Sequence, residues 1–157
     1  METGGKSIKS IVQKSNPTAT AGCLETDCLA CKPGRGSGGN CRKSSTNYQI
    51  ECQLCPAEER SVYIGETARN LYTRSKEHVN RFRNGSKKSF IKKHQARKHQ
   101  GVAGDYTAKV TGSSSDCLTR QVREAVMIRR CPAPVLNSKT EWHQPALWQI
   151  QNEIFRG

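Results

Sequence analysis

No run of apolar residues in this 157-residue chain is long enough to cross a bilayer, and the amino terminus lacks the apolar core of a signal peptide. A membrane partner is therefore not expected, and the cysteines are expected to meet a reducing compartment. There, metal binding is favoured over disulfides. Apolar residues are also scarce, at 34%, so the core is modest: one ordinary domain with a small module attached. Acidic residues number only 13 against 26 Lys and Arg, giving a net charge of +13. An excess of that size, spread through the part of the chain that patterns as folded, points to a polyanion, and nucleic acid is the commonest.

Eight cysteines are present, and six fall into spaced groups. Cys23-x4-Cys28-x2-Cys31-x9-Cys41 offers four thiolates, enough to surround one zinc tetrahedrally. The loop KPGRGSGGN between the last two has no core of its own, and metal binding would supply the folding energy it lacks. Two disulfides, or free thiols in a linker, are the alternatives. Lys32, Arg35, Arg42 and Lys43 around this group would face phosphate. Cys52-x2-Cys55 needs a second pair of ligands, and His94-x4-His99 has suitable spacing for a zinc held by two cysteines and two histidines, tying a hairpin end to a helix. The alternative is an unrelated knuckle and two histidines among lysines. Lys87, Lys88, Lys92, Lys93, Arg97 and Lys98 accompany those histidines as a phosphate-tracking face, unless they are merely a solvated helix surface. Cys117 and Cys131 have no ligand-like partners and read as buried thiols.

The patterning predicts an α/β (α+β) domain with about three strands. Ser45 to Glu51 reads as a strand with Tyr48 and Ile50 on alternate faces, and Ser61 to Ile64 as a second that stops at Gly65. Thr67 is expected to cap a helix from Ala68 to about Phe82, with Leu71, Val79 and Phe82 on the core and Arg74 and His78 beside that stripe. A third strand runs from Asp105 to Val110 and breaks at Gly112. A helix then starts at a serine or at Asp116 and continues to Arg130, burying Leu118, Val122, Ala125 and Val126. On the residues alone, Glu124 is a surface carboxylate paired with Arg120. A terminal helix from Pro145 to Phe155 would pack back on the domain, with Trp142 and Trp148 as anchors; residues 1–21 carry only a brief patch, Ile8, Ile11 and Val12.

Tyr63-Ile64-Gly65 followed by Arg74-x3-His78 closely resembles the core of the GIY-YIG endonucleases. With cysteines between its two tyrosine positions and a cysteine-rich stretch upstream, the wider pattern resembles one branch in particular, the endonuclease domain of Penelope-like retroelements. The resemblance covers roughly Gly22 to Trp142. It implies a basic linker with a four-cysteine zinc knuckle at 1–44 and an endonuclease domain at 45–157, a central antiparallel sheet flanked by helices. It also implies a CCHH zinc at Cys52, Cys55, His94 and His99, so one or two structural zinc ions in all. Tyr48 takes the place of the first motif's tyrosine, Glu124 that of the glutamate binding catalytic Mg²⁺ or Mn²⁺, and Asn137, in LNSK, that of a late asparagine.

The expected activity is metal-dependent hydrolysis of DNA phosphodiesters, nicking a nuclear target for retroelement integration. Gly5-Lys6-Ser7-Ile8 resembles the junction after a reverse transcriptase, so a larger polyprotein, and element RNA as a further partner, are implied. In that scheme Tyr48 is the base or positions water, with its acidity raised by Arg74 and His78. His78 relays the proton, Tyr63 donates to the phosphate, and Gly65 completes the motif. Arg74 neutralises developing charge, and Asn137 orders the metal shell or the local backbone. Two other classes are left open: a non-catalytic, zinc-stabilised DNA-binding module, and a disulfide scaffold of a secreted basic protein that binds heparin-like polyanions.

Overall fold

The computed structural model describes Cys23, residues 25–31 and residues 40–137. The lead-in at 1–21, Lys32, Arg35, Trp142, Trp148 and the expected terminal helix lie outside the described residues. Three strands, β1 (Thr46–Cys52), β2 (Val62–Thr67) and β3 (Tyr106–Ser113), form an antiparallel sheet in the order β2-β1-β3. Helices α1 (Leu71–Arg83) and α2 (Phe90–Lys98) follow β2, and α3 (Cys117–Arg130) follows β3. The class is α+β, as the patterning predicts.

Tyr48 and Ile50, two residues apart, point to the same face, correcting the expectation that they face opposite ways; both are wholly buried in one core. Their cross-strand partners are Gly65 and Tyr63. Leu71, Phe90, Ile91, Tyr106 and Ala108 complete that face, with Val79 and Phe82 half-buried against it. Cys28, Leu29, Ala30 and Cys41 join the same core, and the Leu29 carbonyl accepts a hydrogen bond from the Ala108 amide (2.9 Å), so the first cysteine group packs directly on the sheet. On the opposite face, Val62 and Ile64 meet Ile128 of α3.

Strand β2 runs on past Gly65 to Thr67, because Gly65 keeps its ladder partner Tyr48 and Thr67 keeps Thr46. The helix therefore starts later than expected. Its cap is Asn70, whose side chain accepts from the Thr73 amide (2.8 Å), while Thr67 accepts from the Arg69 amide (3.0 Å) in a local turn. Helix α1 ends at Gly85 with φ of 68° and the paired bonds Ser86 N–H to Arg81 carbonyl and Gly85 N–H to Phe82 carbonyl of a Schellman motif. Likewise β3 continues through Gly112 to Ser113 rather than breaking there, and Asp116 caps α3 by accepting from the Thr119 amide (2.6 Å).

Helix α3 is rotated from the expected orientation. Leu118, Val122 and Val126 are exposed (45%, 38% and 41%), whereas Arg120 and Ile128 are buried. The cause is Arg120. Its guanidinium donates to Glu66 (3.0 Å) and to the carbonyls of Ser114 (2.8 Å) and Ser115 (3.0 Å), and its own carbonyl accepts from the Asn47 side chain (2.8 Å). Such a buried, multiply bonded cation outweighs an aliphatic stripe in fixing which side of a helix turns inward. Arg120, Glu124 and Ile128 fall at i, i+4 and i+8, so Glu124 lies on the side turned towards the sheet. Cys117 is exposed and Cys131 half-buried, so the expectation of two buried thiols fails for Cys117.

Candidate functional site: a tyrosine–histidine–arginine centre beside two metal-ligand groups

Tyr48, Tyr63 and His78 converge between β1, β2 and α1. The Tyr48 hydroxyl lies 2.9 Å from His78 Nε2 and accepts a hydrogen bond from Arg74 Nε at 3.1 Å. Both His78 and Arg74 reach this point because they are one turn apart on α1, with Leu71 anchoring the helix start in the core. The Tyr63 ring sits 5.0 Å from His78 and 6.3 Å from Tyr48, and stacks on Phe90 at 4.1 Å, 5° from parallel. Room for the Tyr48 ring depends on Gly65: a Cβ there would lie 2.5 Å from both Tyr48 Cζ and Oη.

Burial dominates the electrostatics. It pushes the Tyr48 hydroxyl up to about 12, against the lowering effect of Arg74; the charges of Glu124 and Glu66 add to the rise, which places both carboxylates within electrostatic reach of the hydroxyl. Burial likewise holds His78 down to about 3, helped by Arg74 and Arg81. The lowering expected from Arg74 is present but outweighed by burial, and His78, being neutral, brings no charge to add to it: at neutral pH Tyr48 is protonated. We assign the Tyr48 proton to His78 Nε2, the arrangement that satisfies a wholly buried hydroxyl already accepting from Arg74. For Arg74, burial lowers and Tyr48, Glu77 and Tyr63 raise, with a net rise that keeps it charged.

A pH prediction follows from His78. Below the ordinary histidine value of 6.5 the unfolded chain takes up a proton that the folded His78, near 3, refuses. Stability is therefore full above that value and falls as pH drops from 6.5 towards 3, by about 2–3 kcal/mol at pH 4.5. In His78→Gln, urea midpoints compared at pH 7 and pH 4.5 should show a visibly smaller loss. Metal-ligand protonation adds an acid loss common to both proteins, so the difference isolates His78; equal losses would contradict the assignment.

Glu77 and Asn137 complete the surroundings. Glu77, unremarked in the sequence, pairs with Arg74 at 2.8 Å and also with Arg69, so it orients the guanidinium from the side away from Tyr48. Its signal was the i, i+3 spacing to Arg74. Asn137 accepts from the Ile64 amide (3.0 Å) and donates to the Ile64 carbonyl (2.7 Å). With Val62 N–H bonding Pro134 carbonyl and Leu136 N–H bonding Val62 carbonyl, residues 134–137 cover the β2 edge. Of its two expected roles, ordering the local backbone is the one these bonds perform.

Two groups of cysteine and histidine could each hold a metal ion: Cys23, Cys28, Cys31 and Cys41, and Cys52, Cys55, His94 and His99. Within each, the ligand atoms lie within 4.8 Å of one another. In the second, Cys55 Sγ is 3.3 Å from His94 Nε2 and 3.5 Å from His99 Nε2, Cys52 Sγ is 3.4 Å from His99 Nε2, and the two Nε2 atoms are 3.1 Å apart. A zinc tetrahedron with bonds of about 2.0–2.3 Å has edges of about 3.3–3.8 Å, so the donor set fits Zn²⁺. Without metal the buried thiols stay protonated. Burial, first, and neighbouring thiolates, second, push Cys28 up to about 11 and Cys41 higher still, and burial raises Cys52. A dication would reverse that. His94 sits on α2 and His99 is its C-cap.

Arg42, Lys43, Lys87, Lys88, Lys92, Lys93, Arg97 and Lys98 are all exposed, and Arg42 lies over the Tyr72 ring at 5.7 Å. Among the described residues, no helix is long and apolar enough to cross a membrane. No protein-family model matches this chain, and no curated protein or solved structure matches it either.

Proposed function

We propose that the protein is a metal-dependent DNA endonuclease of the GIY-YIG kind, hydrolysing phosphodiester bonds of a nuclear target during retroelement integration. The observation that carries this reading is the meeting of Tyr48, Tyr63, Arg74 and His78 at one point, with Glu124 within electrostatic reach of Tyr48. Packing alone does not require a buried tyrosine to bond an arginine and a neutral histidine. The net charge of +13 suits a DNA partner.

Glu124 would hold Mg²⁺ or Mn²⁺, a hard cation content with one carboxylate, its waters and phosphate, supplying charge neutralisation to the leaving oxygen. Arg74, held charged and aimed by Glu77, offsets negative charge building on the non-bridging oxygens. Tyr48 at about 12 and His78 near 3 are both at rest in their neutral forms, so Tyr48 positions the water and takes its proton only as its own passes to His78 Nε2, a transfer favoured by the negative charge building on the phosphate. Tyr63 donates to the phosphate. Zn²⁺ in the two cysteine-rich groups is structural, and residence in a reverse-transcriptase polyprotein with element RNA belongs to the same reading.

The test is plasmid cleavage by Tyr48→Phe. Cleavage should fall by about 10²-fold or more, the usual scale of a lost acid–base group, with DNA binding unchanged. Cleavage at the wild-type rate would remove Tyr48 from the chemistry. A protein that binds DNA but never cuts it would instead be a zinc-stabilised binding module.

A further inference from the structure

A cleft of about 610 Å³ opens between α2 and residues 134–137, with two unlike walls. Lys88, Lys93, Arg97 and Lys98 line it from the side of α2; Pro134, Val135 and Leu136 face them across it. His94, one of the metal-ligand histidines, Phe90 and the polar Ser61 and Asn137 complete the lining. Phe90 stacks on Tyr63 and its ring centre is 5.1 Å from that of His78, so one layer of rings separates the cleft from the reactive centre. Lys87 and Lys92 belong to the same basic segment but do not line it, and Lys92 is turned back to the Gly85 carbonyl (2.9 Å).

Resting on the endonuclease reading, we propose that this cleft takes a single unpaired DNA strand, held one ring layer from the Tyr63–His78 centre. A duplex displays phosphates, sugars and base edges on its outside but hides the stacked base faces; it would meet the protein across a broad convex face. An unpaired strand presents phosphates on one side and bare apolar base faces on the other. A wall of cations opposite a wall of proline and aliphatic side chains complements that. The volume suits a small molecule or a nucleotide or two, while a duplex, whose major groove alone is about 12 Å wide, cannot enter. Lys93 and Arg97, one turn apart on α2, form a short ladder for successive phosphates. Metal at His94 would hold the cationic wall at a fixed distance from the sheet.

The experiment compares two charge reversals of equal size on one segment: Lys93→Glu with Arg97→Glu in the cleft, and Lys87→Glu with Lys92→Glu outside it. Binding of dT12, rU12 and a 12-base-pair duplex is titrated across salt concentrations, with metal content and thermal midpoint checked for both variants. The cleft pair should lose at least tenfold in affinity for dT12 and lower the salt slope by about 1.4, two single-strand contacts' worth, while the outer pair loses less than threefold. For duplex the two variants should behave alike. Equal loss of dT12 by both pairs, or none by the cleft pair, overturns the inference, and so does a preference for rU12 that depends on the cleft pair. Plasmid nicking keeps the two readings separate: a protein that holds dT12 through the cleft yet never nicks contradicts hydrolysis alone. A protein that nicks normally while both variants bind dT12 alike contradicts the cleft alone.

Discussion

Stripping metal from the protein with a strong zinc chelator should unfold most of it. In the Cys52–Cys55–His94–His99 group, three of the four residues are buried, and the two imidazole Nε2 atoms face each other at 3.1 Å. Without a cation these four groups can exchange only weak thiol–imidazole and imidazole–imidazole hydrogen bonds, far less than four metal–ligand bonds supply. The group also ties the end of β1 to α2, joining elements far apart in the chain. Structural zinc sites contribute about 10–16 kcal/mol of apparent binding free energy, as much as the about 5–15 kcal/mol that holds a whole domain folded. The thermal midpoint, followed by circular dichroism, should drop by about 20 °C or more, and return on adding Zn²⁺ but not Mg²⁺. His94→Ala and Cys28→Ser should each reproduce part of that fall, since each spoils one group. Purified protein that contains no zinc and melts identically with and without chelator would refute the metal reading.

Gly65→Ala should abolish cleavage. Gly65 does not sit in the left-handed backbone region, so conformational freedom is not at stake; space is. Its added methyl would meet Tyr48 Cζ and Oη at 2.5 Å and Cε1 at 3.0 Å, and the tyrosine, fully buried, has no free volume to retreat into. Either the ring swings out of its bonds to His78 and Arg74, or β1 and β2 spread apart. Overpacking of this kind costs about 1–3 kcal/mol, a loss a folded domain survives. Activity should fall much further, by about 10²-fold or more, because the hydroxyl leaves hydrogen-bond reach of its partners. A second substitution separates the two effects: Tyr48→Leu in the Gly65→Ala background should recover stability without recovering cleavage. Wild-type activity in Gly65→Ala would mean that the position of Tyr48 is irrelevant.

The strands, the three helices and both ligand groups were legible in the sequence because their signals are local: β-branched and aromatic runs, capping residues and paired knuckles. Misreadings came where a long-range partner overrode a local rule. Thr67 looks like a cap, but its backbone is held in the ladder by Thr46, which lies earlier in the chain. The stripe Leu118–Val122–Val126 looks like a core face until Arg120 finds Glu66 and two carbonyls. That ion pair turns Glu124 towards the sheet, and nothing within α3 itself announces it. Tyr48 reads as a base made acidic by cations only while its depth is unknown; burial reverses the direction. The cleft is likewise a product of folding, since Lys93 and Arg97 acquire an apolar wall from residues 134–136, far along the chain.

The most direct test of the account is nicking of supercoiled plasmid by zinc-loaded protein, with Mg²⁺ present or omitted and no chelator, for wild type beside Glu124→Ala. Glu124 lies on the side of α3 turned towards the sheet, where its charge acts on the Tyr48 hydroxyl, but it is only half-buried, so its removal should leave folding and DNA binding intact. Wild type should nick only with Mg²⁺ present, and the variant should not nick, at unchanged zinc content and affinity. Nicking by Glu124→Ala at the wild-type rate, or wild-type protein that binds plasmid with Mg²⁺ and leaves it supercoiled, would contradict the endonuclease reading.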